Sequence, residues 1–351
     1  MTAPAAAQPA TNIQEPQLPE VISESVEDTT SQARSVRQHW TPERIKMALA
    51  NPLKAPANNH SGDDIPAETP GATNLPEITA SAEAVLPKNQ DAQAVAHAAK
   101  AAAVPKAKDV AAPQAWPNRV VGKLLFQVPG QGDASCSATV IASKTKNAVW
   151  TAAHCLHKGS GGAKGFHKGF IFLPGYHEDT YPSGYWYHKR VIVPDTWAKS
   201  GDLRSSDMGA LVMASGEPAY GNLQDEVGAW GYKFTTATDH ADVHSLGYPS
   251  DGYGRPAKAF NYGSTMMYCR GKTIDAGNLN PLDNRLRLTC DMGHGSSGGP
   301  MAAAYGTGKP QIVGVNSHRD ADKNGKWTKP YMYSSNHGKT AVAVIDLVNK
   351  G

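Results

Sequence analysis

Residues 293–300 read Gly293-His294-Gly295-Ser296-Ser297-Gly298-Gly299-Pro300. Glycines on both sides of a serine allow a tight turn that exposes a hydroxyl and points successive N–H groups into one hollow. Such a hollow suits an oxyanion. A serine hydroxyl is a weak nucleophile, so it needs a general base within reach and a third group to fix the base's tautomer. Two other stretches supply these. Val149-Trp150-Thr151-Ala152-Ala153-His154-Cys155 sets a histidine just after a buried strand, beside a cysteine able to tether the turn. Ser206-Asp207-Met208-Gly209-Ala210-Leu211-Val212-Met213 sets an aspartate at the head of an apolar strand, where burial and a bond to histidine would orient the imidazole. Asp202 is the rival carboxylate, but Leu203-Arg204-Ser205-Ser206 follows it instead of an apolar run, so it reads as a loop residue. His157 reads as a solvated loop histidine, and His167, His177 and His188 lack ligand spacing, so no metal site is expected. His294 stays open between a substrate contact and plain exposure.

The order His154, Asp207, Ser297, with the T-A-A-H-C and G-x-S-G-G-P boxes, resembles the chymotrypsin/trypsin-like serine peptidases over residues 116–351. His244-Ser245-Leu246-Gly247-Tyr248-Pro249, the short Val120 to Cys136 spacing and the W-T-P-E-R element at Trp40 to Arg44 resemble secreted bacterial enzymes related to the glutamyl endopeptidases. In those a signal peptide and a pro-segment precede the mature enzyme. The resemblance implies an all-β fold of two antiparallel barrels with the triad between them. His154 would be the base, Asp207 its orienting acid and Ser297 the nucleophile, with the N–H groups of Gly295 and Ser297 as oxyanion hole. It also implies Cys136–Cys155 and Cys269–Cys290 bridges, and a monomeric enzyme that acts on protein or peptide substrates without a cofactor.

The resemblance and the residues disagree over substrate choice. Asp291 stands six positions before Ser297, where trypsin-like enzymes keep the carboxylate of the primary pocket, and there it would favour Lys or Arg. The glutamyl branch needs a His and a Thr or Ser, but the matching positions are Met292 and Asn316 or Ser317, none of them cationic. Basic specificity is therefore expected above acidic, with a small or apolar preference open, and Asp291 and Ser317 are the candidate substrate-binding residues. The bland alternative is that Asp291 makes a structural hydrogen bond. Ser296 departs from the aspartate that receives the new N-terminus in vertebrate zymogens, so activation by that salt bridge is not expected. An inactive binding relative would have lost a triad residue, and a surface or cell-wall protein would need aromatics in its tail.

The elements that must hold these residues lie after residue 115. The first 115 residues of 351 contain 27 Ala, Gly62 and Gly71 as the two Gly, Trp40 as the one aromatic and no Cys. Such a segment is expected to be mostly flexible and to act as pro-segment and linker, because it buries too little apolar surface to offset its ordering entropy. Within it, Trp40 to Ala50 reads as one helix, capped by Thr41 and stopped by Asn51-Pro52, either a transient turn or a docking element presenting Trp40, Ile45 and Leu49. Ala92 to Ala112 reads as an exposed linker open to cutting, with the mature N-terminus between about 100 and 118. Ten short runs from Val120 to Asn316 read as strands of a barrel or sandwich, and Thr340 to Lys350 as a terminal helix. A net charge of +3 gives no footprint for nucleic acid, and no apolar run is long enough for a membrane span. The even set of four cysteines suits two disulfides and a secreted protein, although MTAPAAAQPA is no signal peptide.

Overall fold

A computed structural model describes residues 17–26, 30–54, 56, 77–88, 102–214, 221–277 and 283–351. In chain order the strands are β1 (Val21–Ser25), β2 (Ala80–Ala82), β3 (Val104–Asp109), β4 (Val121–Val128), β5 (Gly132–Val140), β6 (Ala148–Thr151), β7 (Lys168–Pro174), β8 (Trp186–Pro194) and β9 (Gly209–Met213). They continue as β10 (Gly231–Phe234), β11 (Val243–Gly247), β12 (Met267–Gly271), β13 (Ile274–Asp275), β14 (Leu286–Thr289), β15 (Pro300–Ala303), β16 (Gln311–Val315) and β17 (Tyr331–Ser334). Helices α1 (Thr30–His39) and α2 (Pro42–Leu49) lie between β1 and β2, and a helix over Lys339–Asn349 ends the fold.

The first barrel closes because β9 pairs with both β6 and β8, completing the ring β8-β7-β4-β5-β6-β9. Its strands are buried along most of their length, with Phe126, Trp150, Phe170, Phe172 and Trp186 among the largest fully buried side chains. Each such side chain contributes roughly 2–3 kcal/mol on burial. Gly122 lets β7 come close, since a Cβ there would stand 2.2 Å from the Leu173 carbonyl oxygen. The second unit is a seven-stranded sheet, β2-β10-β16-β15-β11-β12-β3, flanked by the three-stranded sheet β13-β14-β17. Its β10–β16 pair is parallel, the exception to an otherwise antiparallel pattern. The units are stitched by backbone bonds from Trp230 N–H to Val140 O (3.0 Å) and from Ser137 N–H to Ser297 O (2.7 Å). Disulfides join Cys136 to Cys155 and Cys269 to Cys290, closing loops of 19 and 21 residues. In the chain-entropy account each is worth about 3 kcal/mol.

The described parts of the first 115 residues differ from a flexible tail. β1 adds to the open side of β8, β2 to β10 and β3 to β12, while Ile45, Ala48 and Leu49 of α2 are buried on the first barrel. Trp40 is buried too, its Nε1–H bonded to Gly169 O at 2.6 Å. Composition misjudged these stretches because an edge strand draws its bonds from a sheet already present and needs few aromatics of its own. The expected linker over Ala92 to Ala112 likewise holds β3 in its second half; the part at 92–101 lies outside the described residues.

Several buried histidines are held neutral. Desolvation pushes His167, His188 and His337 down to about 4 and His318 to about 3, the last helped by the Arg285 guanidinium. In the unfolded chain all four would titrate near 6.5, so unfolding takes up protons between about 6.5 and 4. Their full stability is present above about 6.5 and is lost as pH falls. Urea unfolding at fixed ionic strength should show a midpoint that drops steadily from pH 7.5 to pH 5; a flat midpoint would refute the neutral assignment.

Candidate active site

His154 sits in a short 3-10 turn over Ala153–Cys155, tethered by the bridge to Cys136. Its backbone N–H and its ring both reach Asp207: N to Oδ1 at 2.8 Å, Nδ1 to Oδ2 at 2.9 Å and Nδ1 to Oδ1 at 3.1 Å. Asp207 is fully buried ahead of β9. Burial alone would raise its pKa, but the His154 ring, the Ser317 hydroxyl and the His154 amide outweigh it and hold the carboxyl below its ordinary value. The carboxylate thus keeps the imidazole proton on Nδ1 and leaves Nε2 as a base. Nε2 is buried and has no partner among the described residues, so the Ser297 hydroxyl is not bonded to it here.

The serine turn is tied down on every side. Ser296 Oγ donates to Gly293 O (2.6 Å), Ser137 Oγ to Gly295 O (2.8 Å), and Asn316 Nδ2 to Ser296 O (3.1 Å). Gly295 and Gly298 adopt φ of 85° and 78°, which residues with a Cβ rarely hold. The N–H groups of Gly295 and Ser297 have no acceptor among the described residues. They are two unspent donors in one turn, as stabilising an oxyanion requires. Ser296 thus braces the turn from within, through its bond to Gly293 O. The other carboxylate, Asp202, accepts from Arg204 N–H, Ser205 N–H and Ser205 Oγ and orders its own loop.

Ser317 does not offer its hydroxyl to a pocket. It donates to Asp207 Oδ2 at 2.5 Å and lies 2.7 Å from His318 Nδ1. His318 Nε2 accepts from Arg285 Nη1 at 2.6 Å, because a guanidinium can only donate. Neutral His318 therefore carries its proton on Nδ1 and donates to Ser317, which passes its own proton toward Asp207. Asp283 anchors the far end through Arg285 at 2.7 and 2.5 Å. From Arg285 Nη1 inward, each group donates toward Asp207. His318 adjoins Ser317 in sequence and could have been suspected; Arg285 is brought in only by the β14–β17 pairing.

Asp291 differs from an unpaired pocket acid. Ala107 N–H of β3 donates to Oδ1 (2.7 Å) and Arg255 Nη1 to Oδ2 (2.8 Å), so both oxygens are engaged and the charge is paired. The structural alternative describes it, and the argument for basic specificity loses its premise. A cation missed in sequence lies against the same wall. Arg319, 1% exposed, donates from Nη1 to the carbonyls of Cys290 and Met292 and from Nη2 to Lys329 O. Its Nε is buried and has no partner among the described residues. Desolvation lowers it to about 10, still charged at neutral pH, with Asp291, Asp251 and Asp320 supporting the charge. Asn316 serves the turn, as above, and Met292 is buried in the second core. His294 is fixed by Asp251 (Nδ1 to Oδ2, 2.6 Å) and lies 4.6 Å from the Trp327 ring.

No protein-family model matches the chain, and no curated protein matches it in sequence. Among solved structures it is similar to the protease Anisep from Arthrobacter nicotinovorans, at 27% identity and TM-score 0.56 over 66% of this chain and 96% of that one. It is similar to the same degree to AL20, a thermostable serine protease from an extremophilic microorganism, at 26% identity and TM-score 0.56 over 66% and 97%. A Glu endopeptidase at 19% identity and TM-score 0.51, over 70% and 97%, shares the fold. The chain has the chymotrypsin-like serine protease fold.

A donor to a buried carboxylate is worth roughly 1.5–3 kcal/mol, or about 10 to 100-fold. Ser317→Ala should lower kcat for a peptide substrate by that factor with KM little changed. A rise in KM at constant kcat would instead make Ser317 a substrate contact.

Proposed function

We propose that the chain is a secreted serine endopeptidase, made as a proform, that cleaves peptide bonds through an acyl-enzyme. The observation that carries this reading is the buried Asp207 holding His154, in the same fold as a serine turn, with His154 Nε2 and two turn N–H groups lacking partners among the described residues. Ser297 Oγ attacks the scissile carbonyl while His154 Nε2 takes its proton. The oxyanion that develops is met by the N–H groups of Gly295 and Ser297, a contribution worth roughly 3–4 kcal/mol per donor in such sites. His154 returns the proton to the leaving amine, and a water then repeats the sequence on the acyl ester. Asp207 stays ionised and keeps the imidazole in place. An inactive binding protein is not favoured, because none of the three residues is lost. Two disulfides fit an oxidising, extracellular setting.

Arg319 supports a preference for an acidic residue before the cleaved bond. Its guanidinium is buried against the 290–292 wall with no partner for Nε among the described residues, and its positive charge there would favour an incoming carboxylate beside the three nearby acids. A basic side chain would meet the same charge as repulsion.

Ser297→Ala should lose at least about a thousandfold in kcat, with the fold unchanged by circular dichroism. Retention of most activity would end the assignment. In peptides differing only at the residue before the cut, Glu and Asp should be preferred over Arg and Lys, and Arg319→Met should erase the difference; selective cleavage after Arg or Lys would contradict the role given to Arg319.

A further inference from the structure

We propose that His318, Arg285 and Asp283 are positioning residues for Asp207, and that the opposed charges of Arg285 and Asp283 set how far into acid His154 still works as a base. The inference rests on the serine-peptidase reading above. His318 is fully buried with both ring nitrogens engaged, Nδ1 at 2.7 Å from Ser317 Oγ and Nε2 at 2.6 Å from Arg285 Nη1. Its ring stacks on Tyr333, with centroids 5.2 Å apart and planes 11° apart, and the Arg285 guanidinium lies 5.2 Å from the centre of the same ring. Turning the imidazole would break these contacts. Burial and the guanidinium hold it neutral down to about 3, so at working pH it passes polarity between its neighbours without titrating.

The line from Asp207 therefore ends on two opposed charges. A guanidinium keeps its proton at any working pH, and this one stands two hydrogen-bonded groups from Asp207. Its positive charge favours the ionised carboxylate and opposes a second cation on the His154 ring. Asp283 works against it, accepting from Arg285 Nε at 2.7 Å and from Nη2 at 2.5 Å, the donors that His318 leaves unused. Arg285 is the nearer of the two charges along the line, so its effect on Asp207 is reduced by Asp283 and not cancelled.

Other charged and titratable groups face the line from its sides. Arg204 acts on Asp283 through space, and Tyr333 donates its hydroxyl to Asp320 at 2.8 Å and lies in the field of Arg287. Lys329 stands 3.8 Å from Asp320. Near Asp207 and His154 are His337 and His167, both held neutral by burial. Removing Arg285 or Asp283 changes one charge at the end of the line and leaves all of these in place.

The full chain is compared as wild type, Arg285→Gln and Asp283→Asn. Each is treated with diisopropyl fluorophosphate, a small reagent that labels an activated serine, and the rate of Ser297 labelling is followed against pH. Its acid limb reports the protonation of His154 in the free enzyme. Arg285→Gln removes the charge that opposes the imidazolium, so the midpoint of the limb should move up by about half a pH unit. Asp283→Asn leaves the Arg285 charge without its offset, and the midpoint should move down by a similar amount. A loosened structure would instead slow labelling at every pH or move both midpoints the same way. If Arg285→Gln does not fold, the sign of the Asp283→Asn shift decides alone. Unmoved midpoints, or shifts of one sign, with Ser297 labelled in each protein, would overturn this inference and leave the peptidase reading intact. Failure of Ser297 to label in the wild type at any pH would overturn both.

Discussion

A carboxylate without solvent must be surrounded by donors, and Asp207 imposes that requirement on both halves of the molecule. The first barrel answers with the His154 amide and ring; the second unit answers with Ser317. Donors from both units thus meet on one buried charge. Loss of either partner would leave a buried ion short of bonds, at a cost of several kcal/mol. The chain Asp283, Arg285, His318 and Ser317 extends the same demand outward until a second carboxylate closes it.

The serine turn meets a different demand, which is to stay open with its N–H groups unspent. Its carbonyls are used instead, by Ser137 on Gly295 and by Asn316 on Ser296, while Gly295 N–H and Ser297 N–H have no acceptor among the described residues. Ser245 in turn orients Asn316 at 2.6 Å. Polar side chains behind the turn thus do what a buried N-terminal ion pair does elsewhere, and preorganisation of this kind is where such sites gain most of their rate.

The three candidate-site boxes and the ten strand runs were legible because they are local: a glycine-flanked serine, a histidine after a β run and an aspartate before one carry their own spacing. Seven strands were not. β1, β2 and β3 come from stretches poor in aromatics, and β13 is two residues long. The partners of Asp291 were equally hidden, since Arg255 and Ala107 lie 36 and 184 residues from it and reach it only through the folded sheets. Counting back from Ser297 could not show that the Asp291 carboxylate is already paired. Arg319 escaped notice because an arginine in sequence looks solvated, whereas here three backbone carbonyls strip it of water.

The bond between His154 Nδ1–H and the ionised Asp207 is the interaction on which the site depends. Proton NMR of the full chain in water reads it directly, as a strongly downfield resonance belonging to that proton. The resonance should be present at neutral pH, shift in Ser317→Ala as the carboxylate loses a donor, and vanish in Asp207→Asn. Its absence in the wild type, or its survival unchanged in Asp207→Asn, would contradict the arrangement from which the rest is derived.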